Sequence, residues 1–118
     1  MDMQRLANTV ERLQELEITA QELRIMAPLL NPANLPIVEK SIAEMLEALP
    51  QELRARYEKL RKDGLACNRA INGTCQNCRM TLTQPLLNRM KNNETEWICP
   101  NCGHFITLVE QPKMLLLA

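Results

Sequence analysis

Aromatic residues are nearly missing from this chain: its 118 positions hold one Phe, one Trp and one Tyr. Ring contacts therefore contribute little, and Leu, Met and Ala must build whatever core exists. An excess of charge is also lacking, because 14 basic residues face 14 acidic ones. Nothing global then calls for nucleic acid. The halves differ only slightly: residues 1–63 carry nine Lys/Arg against eleven Asp/Glu, and residues 64–118 carry five against three. An offset of two charges is too weak to select a partner. The opening MDMQRLANTVERLQE has no apolar h-region and no cleavage site. No run approaches the roughly 18 apolar residues of a membrane span. Neither secretion nor membrane insertion is expected.

What the chain does have is cysteine in a chemically specific arrangement. Cys75 and Cys78 form one C-x2-C pair, Cys99 and Cys102 another, with 20 residues between the pairs. Two residues between thiols let one tight turn aim both sulfurs at a single ion, and two such turns complete a tetrahedron of thiolates. That set leaves no open position for water or substrate, so a zinc ion held there acts as a fastener. Disulfides and an iron–sulfur cluster are the other uses of such thiols. A redox C-x-x-C motif wants one pair at a helix start beside a βαβ pattern, whereas here two pairs sit in loop-like settings. The stretch from Leu65 to Pro112 is also about the size at which a hydrophobic core alone becomes marginal and a metal is usually needed. Free thiols point to a reducing cytoplasm.

Periodicity predicts a helical first half. Met3, Leu6, Val10, Leu13, Leu16, Ala20, Leu23 and Ala27 recur at spacings of three and four, giving an amphipathic helix over 2–27. Consecutive spacings of three break a strict heptad and argue against a long regular coiled coil. The segment PLLNPANLP (28–36) turns the chain. A second helix begins around Pro36 with the stripe Val38, Ile42, Met45, Leu49, and the short connection makes the pair an antiparallel hairpin. After Pro50 a third short helix spans about Gln51 to Lys62, stopped by Asp63-Gly64. Beyond it, residues 65–71 read as a strand closed by Asn72-Gly73. Thr81–Thr83 is a further strand candidate, Gln84–Met90 a single helical turn opened by Pro85, and Asn92-Asn93 a turn. His104–Val109 reads as a last strand.

Around the cysteines, Gly103 allows the second knuckle to curl so that amides face sulfur, while Arg79 stands at the matching place in the first. Cys67, the fifth cysteine, reads as a small packed residue; a reactive thiol or substitute ligand is the alternative. His104 reads as a half-exposed strand residue with no catalytic companion. Trp97 and Phe105 read as cover for the zinc-side core rather than as base-stacking platforms. Arg69, Arg79, Arg89 and Lys91 are the candidate phosphate-binding cations, against the plainer reading of scattered solvated charges. The tail KMLLLA (113–118) is too short to anchor in a membrane, and suits packing on the helices or an oligomer contact.

The stretch LPQELRARYEKLRKDGLACNRAINGTCQNCRMTL, followed by WICPNCGHFI, resembles the bacterial C4-type zinc-ribbon proteins that carry an N-terminal coiled-coil hairpin. A proline-initiated helix with a Tyr, a Gly, a short strand, the first C-x2-C and then C-P-x-C-G match that pattern from Leu49 to about Leu108, roughly half of the chain. The resemblance implies zinc on Cys75, Cys78, Cys99 and Cys102, and either nucleic-acid binding or an adaptor role between proteins. Residues 1–49 supply a much shorter coil than that family has, and His104 stands where an arginine is common. Small bacterial regulators that enter the RNA polymerase secondary channel also join a helical hairpin to a four-cysteine finger. Their tips carry acidic residues, and NPANLP (31–36) has none, which disfavours that reading.

The expected protein is thus α+β: a helical hairpin region over 1–63, a zinc ribbon over 64–112 and an apolar tail over 113–118. One structural Zn2+ sits on the four cysteines. The expected function is a non-catalytic cytoplasmic module binding nucleic acid, or alternatively a protein–protein adaptor or chaperone using the helices. The helices are expected to associate through their apolar stripes into a homodimer.

Overall fold

In the computed structural model, which describes residues 2–30 and 33–110, Asp2 opens the first helix. Its Oδ1 accepts from the backbone N–H groups of Gln4 (3.0 Å) and Arg5 (3.3 Å), satisfying donors that a helix start leaves unpaired. Helix α1 runs over Met3–Leu30 and carries Pro28 inside its last turn. It therefore continues three residues past the expected end. A proline there removes only one helical donor, near a terminus where few bonds remain to be lost. Helix α2 (Leu35–Ala48) has Pro36 in its first turn, and α3 (Gln51–Lys62) follows Pro50 directly.

Helices α1 and α2 pack on each other, as their stripes suggest. Val10, Leu13 and Ala20 are buried, while Val38, Ile42 and Met45 are half-buried. A second face of α1, not marked by hydrophobicity, lies against a small sheet. Ala7, Glu11 and Gln14 share that face at spacings of four and three. Ala7 and Gln14 are buried, and the Glu11 carboxylate accepts from the Thr107 hydroxyl at 2.8 Å. Because two faces of α1 are covered, one of them by polar contacts, its apolar residues do not form a single clean stripe.

The sheet has three strands in the order β2-β1-β3: β1 is Cys67–Ile71, β2 Thr74–Cys75 and β3 Phe105–Val109. Asn72 (φ 50°) and Gly73 (φ 84°) join β1 to β2 in a two-residue turn, the left-handed pair that Asn-Gly supplies at least cost. Strand β3 pairs with β1 in parallel, Cys67 opposite Phe105 through Ile71 opposite Val109. The long connection that parallel strands require holds both cysteine knuckles and helix α4 (Gln84–Lys91).

Thr81–Thr83 does not become a strand; Thr81 makes one isolated bridge to Thr74. The chain leaves the sheet there because Thr83 caps α4, its hydroxyl accepting from Leu86 N–H at 3.4 Å. Helix α4 is two turns long rather than one. Its end is held by a Schellman arrangement: Asn93 lies at φ 61°, its N–H reaches the Met90 carbonyl, and Glu94 N–H reaches that of Arg89.

Two groups of buried side chains make the core. Ala7, Ala70, Cys75, Leu82, Met90, Trp97, Cys99 and Ile106 form one. Val10, Leu13, Leu49, Leu53, Tyr57, Ala66, Cys67 and Phe105 form the other. Each draws on both sides of Asp63-Gly64. Tyr57, a hallmark of the resemblance, is 1% exposed and donates to the Glu17 carboxylate, linking α3 to α1. The segment KMLLLA (113–118) and, within NPANLP, Asn31 and Pro32 lie outside the described residues.

Candidate metal centre

The two knuckles are built alike. In the first, Cys75 N–H donates to the Met80 carbonyl (3.0 Å) and the Cys75 carbonyl accepts from Arg79 N–H (2.8 Å). In the second, Cys99 N–H donates to the His104 carbonyl (2.9 Å) and the Cys99 carbonyl accepts from Gly103 N–H (2.8 Å). The same register of i to i+4 and i to i+5 bonds curls each C-x2-C around its own sulfurs. Amides of Asn77 and Cys78 point at the Cys75 sulfur, and those of Asn101 and Cys102 at the Cys99 sulfur. Such donors spread the negative charge of thiolates.

This fold requires a left-handed residue at the fourth position after the leading cysteine. Gly103 fills it at φ 77° and Arg79 at φ 64°. An L side chain in that region costs on the order of 1 kcal/mol, so the first knuckle carries strain that the second avoids. Gly103→Ala is expected to weaken metal retention by about 1 kcal/mol, whereas Arg79→Gly should leave it unchanged or improve it. Competition with a chromogenic zinc chelator measures both. Equal losses in the two variants would show that backbone conformation is not the deciding factor.

The knuckles bring Cys75, Cys78, Cys99 and Cys102 together, with all four sulfurs within 4.8 Å of one another. Cys75 Sγ stands 3.8 Å from Cys102 Sγ, and Cys78 Sγ 3.7 Å from Cys99 Sγ. A tetrahedron with zinc–sulfur bonds of 2.3 Å has edges of about 3.8 Å. A disulfide needs about 2.05 Å, and all five cysteines are free thiols. The donor set and its spacing fit a four-thiolate metal ion. Burial pushes the Cys99 thiol up to about 12 and raises Cys75 as well, while the Asn101 side chain and the Met80 amide bring Cys78 down to about 6. A divalent cation held there would deprotonate its coordinating thiols.

Cys67 is not part of the cluster. It is buried on β1, and desolvation followed by the Glu11 charge pushes its thiol up to about 12, as befits a packed residue. His104 is half-buried, its Nδ1 accepting from Asn68 Nδ2 at 3.0 Å. Trp97 is 6% exposed and its indole N–H donates to the Met90 carbonyl; Phe105 is 3% exposed. Both cover the core, and neither presents a ring to a base.

Of the candidate phosphate contacts, Arg69 is paired with Glu11 at 3.8 Å and Lys91 with Glu110 at 3.7 Å. Arg79 donates to the Gln76 side chain at 2.8 Å, and Arg89 is exposed on the last turn of α4. A different cation stands at the second knuckle: Arg56 of α3 donates from Nη1 to the Gly103 carbonyl at 3.3 Å. Sequence reasoning missed it because Arg56 sits among similar exposed charges, far from any cysteine in the chain. Comparison with protein-family models, with curated proteins and with solved structures yields no match to this chain.

Proposed function

We propose that the chain is a non-catalytic binding module held in shape by one structural zinc ion. The observation that carries this reading is the closed set of four sulfurs at tetrahedral spacing, which offers a metal four protein ligands and no position for substrate. The resemblance of Leu49 to about Leu108 to C4-type zinc ribbons supports the same reading, and a reducing cytoplasm suits four unbridged thiols.

Two ligand classes follow from that resemblance, nucleic acid and protein. The surface favours protein. Arg69 and Lys91 each already face a carboxylate, and both ribbon aromatics are buried, so neither phosphate clamping nor base stacking is well served. We therefore place the adaptor reading first and nucleic acid second.

Protein purified without added metal is expected to contain one zinc per chain by elemental analysis. A folded, metal-free ribbon or bound iron would overturn the assignment. Retention on short RNA or DNA is expected to be weak at low salt and nearly flat against salt. A slope near −0.9 per contact on duplex DNA, reduced by about two units when Arg79 and Arg89 are both neutralised, would restore nucleic acid as the ligand.

A further inference from the structure

The end of the helical hairpin lacks charge. Residues 25–38, IMAPLLNPANLPIV, are 14 consecutive uncharged positions. A turn between surface helices is ordinarily polar. Here Ile25 is 78% exposed, Leu29 87%, Ile37 68% and Met26 40%, so four of the six exposed large apolar side chains among the described residues crowd one end of the molecule. Ile25 and Leu29 are one turn apart on α1, and Ile37 stands in the first turn of α2. The apolar stripes expected to drive association are instead largely consumed inside the chain: Val10 and Leu13 are fully buried.

The sheet lies against the N-terminal half of α1, away from this end. Gln14 meets Cys67, which pairs with Phe105, and Glu11 meets Thr107, so β3 runs antiparallel to α1 and away from the tip. Leu29 lies about 27 Å along the helix from Glu11. Strand β3 carries Glu110 roughly 10 Å further in the opposite direction.

The rim of the patch identifies an occupant. Glu22 and Arg24 on α1 and Glu39 and Lys40 on α2 flank it with two charges of each sign, and Arg24 pairs with Glu39 at 3.6 Å. A balanced rim selects neither an acidic nor a basic partner, and it offers no attraction to anionic headgroups. It is self-complementary: a two-fold axis through the tip sets each copy's Arg24–Glu39 pair against the same pair reversed. We propose that this uncharged tip is a homodimer contact, in which two copies meet end to end through Ile25, Met26, Leu29 and Ile37. The patch is smaller than the interfaces of permanent dimers, so the dimer is weak and reversible. The zinc ribbons then lie at opposite ends of the pair. The inference does not depend on the metal reading.

Sedimentation equilibrium of the full zinc-loaded chain from about 1 to about 200 micromolar tests it, with an expected dissociation constant of roughly 10 to 100 micromolar. Leu29→Glu and Ile25→Glu alter exposed positions that the fold does not need. Each is expected to weaken association by about 100-fold or more, because a carboxylate would be buried without a partner. Leu65→Glu, at an exposed apolar position outside both the tip and the cysteine knuckles, should leave the dimer intact. Arg24→Glu should weaken it, and adding Glu39→Arg should restore it. A wild-type chain that stays monomeric across the range, or a dimer indifferent to Leu29→Glu, overturns the proposal. So does a monomer that sediments with neutral phosphatidylcholine vesicles, which would make the tip a membrane contact.

Discussion

Cys99→Ser is expected to remove the metal and unfold the ribbon, the largest effect of any single substitution in this chain. Structural zinc contributes on the order of 10 kcal/mol or more to folding. Whole domains of this size are stable by about 5–15 kcal/mol. Losing one of four ligands therefore removes most or all of the margin. Cys99 is also fully buried, beside Met90, Trp97 and Ile106, so the hydroxyl that replaces its sulfur would sit in an apolar setting. From sequence alone one expects the helices to survive such a loss. The shared core argues otherwise, because Val10 and Leu13 of α1 pack with Tyr57, Cys67 and Phe105. Far-ultraviolet circular dichroism should therefore show the helical signal falling together with the ribbon, with α2 the most independent part. Cys67→Ser should keep the metal. A Cys99→Ser protein that still binds one zinc and melts cooperatively near the wild-type temperature would refute the ligand assignment. Zinc loss in Cys67→Ser would point to a different fourth ligand.

The parts of this protein that were legible in the sequence are those whose chemistry is local. A C-x2-C pair closes on itself, so four candidate ligands could be named before any fold was known, and the fold brings their sulfurs within 4.8 Å of one another. Asn72-Gly73 and the helix from Gln51 to Lys62 were equally readable, since turn residues and proline act on their own neighbours. What was not legible depends on contacts distant in the chain. The parallel pairing of β1 with β3 joins residues 38 apart in number, as with Cys67 and Phe105, and nothing in either strand announces its direction. Arg56 reaches the second knuckle only because α3 crosses it. The polar face of α1 has no apolar periodicity and so carries no sequence signal of its own. Its two anchors, Glu11 and Gln14, look like ordinary solvated positions until the sheet arrives.

Gln14 is the clearest case, and its replacement gives the second large effect. It is 7% exposed, and its side chain makes three bonds to Ala66 and Cys67 where the chain enters β1. Oε1 accepts from Ala66 N–H at 2.7 Å and from Cys67 N–H at 2.8 Å, while Nε2 donates to the Cys67 carbonyl at 3.1 Å. Gln14→Leu keeps the bulk and deletes all three partners. Each buried backbone group left unpaired costs about 1–3 kcal/mol, so a total loss of about 3–6 kcal/mol is expected, allowing for relaxation. Gln21→Leu, an exposed position on the same helix, should change stability by no more than about 0.5 kcal/mol. Urea unfolding of the zinc-loaded protein measures both. Amide exchange supplies the specific signature, since the Ala66 and Cys67 N–H groups should lose protection before the rest of the sheet. Strand β1 leads through the Asn72-Gly73 turn to Cys75, so loosening its start also loosens the platform of the first knuckle. Zinc retention against a chelator should therefore fall in Gln14→Leu although no ligand is touched. A loss below about 1 kcal/mol with unchanged protection at Ala66 and Cys67 would mean that water replaces the amide there, and that apolar packing alone joins α1 to the sheet.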